Sequence, residues 1–182
     1  MLYIIRHGKT DWNEKRKLQG RTDIPLNEEG RQMARKAQAA ARSLTFDVCY
    51  CSPLLRARET AEILLEETGV PIVFDKRLLE MCFGAFEGVE NSFDDPSLAI
   101  NVLFQKSEEY VSCEGSESFE ELFARTGAFL REVVYPDLEQ GKNVLIVGHG
   151  AMNSSIVCQI RRMPLAKFWD AGIPNCEFIQ LL

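Results

Sequence analysis

Short aliphatic runs alternate along the chain with longer stretches in which apolar residues recur every three or four positions. Leu2-Tyr3-Ile4-Ile5 and Val144-Leu145-Ile146-Val147 are near-continuous apolar runs, the pattern of strands buried on both faces of a parallel sheet. Residues 46–51 and 71–74 read as two more strands, and residues 176–181 as a final edge strand. Leu26, Met33, Ala34, Ala37, Ala41 and Leu44 keep helical spacing around Asn27, an N-cap residue followed by acids. Ser52-Pro53 predicts the start of a helix that carries Leu54, Ala57, Ala61 and Leu64 to a stop at Gly69. Ser118 and Glu121 form a capping box for a helix reaching about residue 139, and another helix is expected over 151–162. Residues 89–115 are the least regular, with one helix expected around 96–108. This alternation predicts a three-layer α/β/α sandwich, a mainly parallel sheet with helices on both faces. A length of 182 residues fits a single domain over 1–182.

Composition narrows function more than fold. Hydrophobic residues make up 46% and charged residues 26%, ordinary for a globular chain. A net charge of -6 argues against nucleic acid as a partner. No apolar run approaches the ~20 residues that cross a bilayer, and no secretory leader pattern follows Met1. A cytoplasmic location without a membrane partner is therefore expected. The six cysteines are scattered and include no Cys-x-x-Cys pair, so they read as reduced thiols rather than disulfides or zinc ligands. Charge is distributed unevenly: residues 1–42 hold ten Lys/Arg against five Asp/Glu. A basic region in an acidic protein can focus an anionic ligand.

The chain has two histidines, and each follows one of the two most apolar runs, in Arg6-His7-Gly8 and Gly148-His149-Gly150. Ligands of open α/β sheets bind beyond the carboxyl ends of the strands, so both histidines are expected on one rim. A guanidinium is unfavourable beside a metal-binding histidine, but it matches the oxygens of a phosphate. Neutral imidazole can attack phosphorus, and Gly8 would let the backbone approach the ligand. Arg56 falls in the first turn of the helix after Ser52-Pro53, where free N–H groups also favour an anion. A surface ion pair with Glu59 or Glu62 is the other reading of Arg56. Glu80 opens a loop bearing Gly84 and Gly88. A carboxylate beside a phosphate dianion can hold a proton and pass it to a leaving oxygen, though a loop acid in solvent has the same sequence. Neither a Gly-x-x-x-x-Gly-Lys-Ser/Thr loop nor a Gly-x-Ser-x-Gly elbow is present.

Arg6-His7-Gly8, Ser52-Pro53-Leu54-Leu55-Arg56-Ala57, Glu80 with Phe83-Gly84 and Glu87-Gly88, and Gly148-His149-Gly150 together resemble the histidine phosphatase superfamily. The likeness covers nearly the whole chain in the right order. It implies a phosphohistidine on His7 and general acid and base work by Glu80. Arg6, Arg56 and His149 would hold the phosphoryl oxygens. Asn13 matches the family's phosphate-contacting asparagine, and Gln19-Gly20-Arg21 its entrance loop. Gly8, Thr10, Gln19 and Arg21 join Asn13 as candidate phosphate or substrate contacts, with Trp12 as a packing anchor. The implied substrate is a small-molecule phosphate ester, without metal or cofactor; homo-oligomerisation stays open.

Lys9-Thr10 replaces the Glu-Ser of the family's mutases, and the insertion after Glu80 is shorter than theirs. Phe83-Gly84-Ala85-Phe86-Glu87-Gly88 looks nearer the branch that includes α-ribazole phosphatases. A phosphoglycerate mutase is the alternative, and an idle phosphate-binding or scaffold protein a further one. Residues 87–117 are expected to form a lid. They hold eight acids and one base, Lys106, which would make a negative rim that disfavours substrates with a second anionic group. A substrate with a neutral or cationic remainder would be preferred, with Phe93, Phe104 and Tyr110 offering it apolar contact.

Overall fold

Successive side chains of the first strand, β1 (Leu2–Arg6), enter two different cores. The computed structural model describes all 182 residues, Met1–Leu182. After β1 come α1 (Asp11–Glu14), α2 (Glu28–Leu44), β2 (Val48–Cys51), α3 (Leu55–Leu64) and β3 (Ile72–Phe74). The chain continues through α4 (Asn101–Gln105), α5 (Phe119–Phe129), α6 (Tyr135–Glu139), β4 (Val144–Gly148), α7 (Gly150–Arg161) and β5 (Phe178–Gln180). The strand order is β3-β2-β4-β1-β5. All neighbours are parallel except β5, which runs antiparallel to β1 at the edge.

Leu2 and Ile4 of β1, with Val144 and Ile146 of β4, pack in one core with Leu122 and Phe129 of α5 and Ile156 of α7. Tyr3 and Ile5, with Leu145 and Val147, pack in the other with Ala41 of α2 and Ala57, Ala61 and Leu64 of α3. The period of two along a strand thus produces helix layers on both faces. Fully burying an aliphatic side chain contributes roughly 1.5–3 kcal/mol, so the apolar central strands anchor the molecule. Register pairs Arg6 with Gly148, which brings His7 and His149 to adjacent positions beyond the same rim.

Several boundaries differ from expectation. Ser52-Pro53 does not cap α3, which begins at Leu55 with Leu54 as N-cap and no side-chain cap bond. The helix ends at Leu64, and turns lead on to Gly69. Only Asn101–Gln105 of the expected 96–108 helix forms as α-helix. The stretch from Ser118 keeps its capping box but widens into a π turn at Leu130–Val134 before α6. Pro136 explains this, because it lacks an N–H and its ring collides with the carbonyl four residues earlier. Phe46 lies outside β2 yet is buried, with its ring centroid 5.6 Å from that of Tyr3.

The loop after His7 is pressed onto α2. A Cβ at Gly8 would lie 2.5 Å from the Gly30 carbonyl oxygen, and one at Gly30 would lie 2.1 Å from that of Lys9. Gly8 therefore admits the α2 backbone, whereas the sequence alone suggested that it admits a ligand.

Candidate active site

His7 is 3% exposed and His149 fully buried, with ring centroids 5.1 Å apart. His7 Nδ1 lies 2.6 Å from the Gly8 carbonyl oxygen. A carbonyl can only accept, so Nδ1 carries the proton and Nε2 is left with its lone pair. Arg56 Nε donates to that Nε2 at 3.3 Å. Burial, with the positive charges of Arg56 and Arg6, holds the His7 pKa well below the ordinary imidazole value. Burial and the neighbouring Arg56 do the same to His149. His7 is thus a neutral imidazole whose unprotonated Nε2 meets Arg56, the protonation state a nucleophile requires.

Arg56 is fully buried and makes no surface ion pair. The Gly20 carbonyl accepts from its Nη2 at 2.6 Å and the Thr22 carbonyl from its Nη1 at 3.1 Å. Burial lowers its pKa to about 10, which still leaves it charged at neutral pH. The loop that holds Arg56 is itself held by Glu87, which accepts from the Arg21 and Thr22 backbone N–H groups at 2.9 and 2.8 Å. Burial opposes ionisation of Glu87, but these bonds, with those from the Thr22 hydroxyl and the Phe83 N–H, keep its pKa low.

Glu80 is 5% exposed and sits at the start of α7. Its carboxylate accepts from the N–H groups of Met81 at 2.8 Å, Met152 at 2.9 Å and Ala151 at 3.1 Å. The N-cap of α7, His149, makes no side-chain cap bond. Glu80 supplies the missing acceptor from 69 positions before His149 in the sequence. Arg6 lies close by: a Cβ at Gly150 would be 3.6 Å from both Arg6 Cζ and Glu80 Oε2.

Arg6 and Glu80 line a cavity of about 360 Å³ together with Asn13, Gln19 and Asn175, whereas His7, Arg56 and His149 are buried and do not form part of that lining. Thr10 does not line it. Thr10 is fully buried and caps α1, and its hydroxyl donates to Gln19 Oε1 at 2.7 Å. Its backbone N–H donates to Asn13 Oδ1 at 3.0 Å. Both amides are turned so that Asn13 Nδ2 and Gln19 Nε2 remain available as donors, and Gln19 Nε2 is buried without a partner. Arg6 Nε is likewise buried and unpartnered. Buried polar groups are rarely left unpaired, so these donors suit an anionic guest. Arg21, by contrast, is engaged outside the cavity by Glu117 at 3.3 Å and by the Glu80 carbonyl at 3.4 Å. Nothing in the sequence marks Asn175 as a site residue. It lies just before the edge strand with no motif around it, and its Nδ2 donates to the His7 carbonyl at 2.6 Å.

None of the eight acids of residues 87–117 lines the cavity, so the negative rim expected there does not face it. Glu80 is the one carboxylate in the cavity lining. Asp94 pairs with Arg16, Glu90 with Lys17 at 3.7 Å and Glu109 with Lys106 at 3.3 Å. Glu117 is buried against Arg125 at 2.7 Å. The segment contributes Phe93 and Phe104 to the cavity, joined by Phe83 and Trp169. Tyr110 packs on Phe119 and bonds Ser116 at 2.5 Å, away from the lining.

Two neutral buried histidines have a consequence for stability. Unfolded, both take up protons as pH falls through about 6.5, whereas folding holds them neutral to lower pH. The unfolded state then binds more protons, so stability falls with pH by up to about 1.4 kcal/mol per histidine per unit. Denaturant midpoints should decline from about pH 7 to pH 5, and less steeply in His149→Asn. A flat profile in the parent protein would contradict the burial of neutral rings.

An α/β sheet with two histidines, two arginines and a carboxylate beyond its central strands defines a phosphoryl-transfer class of site. The chain belongs to the histidine phosphatase superfamily (branch 1), whose sequence model matches residues 2–182. It is 34% identical over 181 residues to "Probable phosphoglycerate mutase GpmB" of Salmonella choleraesuis (strain SC-B67), covering 99% of this chain and 83% of that protein. Among solved structures it is similar to YhfR of Bacillus stearothermophilus, with a TM-score of 0.87 and 30% identity over 97% of this chain and 88% of that one. It shares its fold with the α-ribazole phosphatase of Shigella flexneri, with a TM-score of 0.81 and 24% identity over 97% and 87% of the two chains. No helix is long and apolar enough to cross a membrane.

Proposed function

We propose that this protein is a metal-independent phosphomonoesterase acting on a small-molecule phosphate ester through a phosphohistidine at His7 Nε2. The observation that carries this reading is the unprotonated Nε2 of a buried neutral histidine, which accepts from Arg56 Nε at 3.3 Å. Nε2 attacks phosphorus, the bond to the ester oxygen breaks, and Glu80 gives that oxygen its proton. Glu80 then takes a proton from water, which attacks the phosphohistidine and releases inorganic phosphate. Arg6, Arg56, Asn13, Gln19 and His149 offset the charge on the phosphoryl oxygens.

The phosphatase reading is favoured over the mutase by the outer cavity. A mutase must hold a second anionic group, yet Lys9, Arg16 and Lys17 of the lining are already paired with Glu29, Asp94 and Glu90. The wall formed by Phe83, Phe93, Phe104 and Trp169 favours an apolar or aromatic body on the substrate instead. Residues 87–117 act in this reading as the lid that brings Phe93 and Phe104 over it. A hydrolysis screen over phosphoserine, α-ribazole phosphate, phosphoglycerates, sugar phosphates and nucleotides tests the assignment. Free phosphate should appear from an aryl-bearing or apolar ester. Exchange of phosphate between phosphoglycerates with little release would favour the mutase. Phe93→Ala should raise KM for an aryl phosphate roughly 3–10-fold, the equivalent of one aromatic contact, and leave glycerol phosphate nearly unaffected. An equal rise for both esters would remove the aromatic wall from substrate recognition.

A further inference from the structure

Ser52 ends up with a free hydroxyl where its sequence context suggested a helix cap. It lies one residue beyond β2, on the same rim as His7 and His149, and is fully buried. Its Oγ is 2.7 Å from His149 Nε2. It also accepts from the Leu54 backbone N–H at 3.4 Å, which leaves its own proton for the imidazole. His149 Nδ1 is buried with no partner.

We infer that Ser52 is a positioning residue: its hydroxyl donates to Nε2 of His149 and so keeps the ring proton on Nδ1, as a donor for the phosphoryl oxygens. A neutral imidazole carries one N–H. With that proton on Nε2, the buried Nδ1 would carry a lone pair that no donor meets. The hydrogen bond made by one ring nitrogen sets the state of the other. The same rule acts on His7 with the opposite use. The Gly8 carbonyl takes the Nδ1 proton of His7 and exposes an acceptor for attack on phosphorus. Ser52 caps the acceptor of His149 and exposes a donor. Two rings of one tautomer, held by different partners, would thus fill two different roles.

The catalytic consequence rests on the phosphohistidine reading, whereas the tautomer does not. With only two histidines in the chain, imidazole nitrogen NMR reads both rings directly. Both should carry the proton on Nδ1 at neutral pH in the unaltered protein. Ser52→Ala should move His149 toward the Nε2–H form and leave His7 as it was. The variant's kcat on an aryl phosphate should drop roughly 10–100-fold, the scale seen when a partner orienting a functional histidine is removed. Its denaturation midpoint checks that the fold is retained. An Nε2–H ring at His149 in the unaltered protein overturns the proposal, as does a folded Ser52→Ala variant with unchanged kcat. If no phosphate ester is turned over at all, the functional reading fails, and the ring tautomers still decide the assignment of Ser52.

Discussion

His7→Ala is expected to abolish turnover, with a loss on the order of 10⁶-fold, as when the nucleophile of a covalent mechanism is removed. The fold should survive. Arg56 keeps its two carbonyl partners, Gly20 and Thr22, and the loop after His7 remains seated on Gly30. Quenching the parent protein during turnover should trap phosphate in an acid-labile, base-stable form on His7. Chelators should leave the rate unchanged. Retained activity in His7→Ala, or an adduct carried by His149 instead, would reject the mechanism.

Glu80→Gln should cost roughly 10²–10⁴-fold on an alkyl phosphate, the usual scale of general acid catalysis. The loss should be much smaller for phosphoenzyme formation from an activated aryl phosphate, whose leaving group needs no proton. This contrast matters because Glu80 also accepts hydrogen bonds from Ala151 and Met152 at the start of α7. Glutamine presents an amide N–H where one of those donors now finds an oxygen. Weakening a cap costs about 0.5–2 kcal/mol of stability, and it disturbs both substrates alike. Equal losses on the two esters would make Glu80 a structural cap and remove it from the chemistry.

The dual position of Glu80 shows where reading along the chain stops. Its place before a glycine-bearing loop made it a candidate acid, but nothing local connects it to the helix after His149. A carboxylate that caps a helix from a distant segment leaves no trace in the spacing of either segment. Ser52 is the converse case. Ser-Pro before an apolar run fits an N-cap by every local rule, and the hydroxyl is taken by a histidine 97 positions away.

The acidic lid illustrates the same limit for charge. Eight acids against one base in residues 87–117 looked like a negative surface, because composition counts charges without their partners. In the folded chain Arg16 and Lys17 lie beside that segment: Leu18 N–H bonds the Val89 carbonyl at 3.0 Å and Asn91 N–H the Arg16 carbonyl at 2.8 Å. The cations that pair with Glu90 and Asp94 thus come from the loop after α1, and Arg125 of α5 pairs with Glu117, all outside residues 87–117.

The sequence by itself determined the layered α/β architecture and the rim that carries His7 and His149. It could do so because uninterrupted apolar runs fit only doubly covered strands, and the residue after each run must emerge at the strand's end. It also pointed to Arg6 and Arg56, whose charge beside a histidine and in a helix's first turn has a local meaning. Tertiary structure alone decided the contact of Ser52 with His149 in place of a helix cap, the seating of Glu80 on α7 and the pairing of Glu90 and Asp94 with Lys17 and Arg16. Each of these depends on a hydrogen bond or ion pair between segments far apart in the chain. Burial and periodicity are written residue by residue, whereas the partner of a polar group is settled only when the chain has folded.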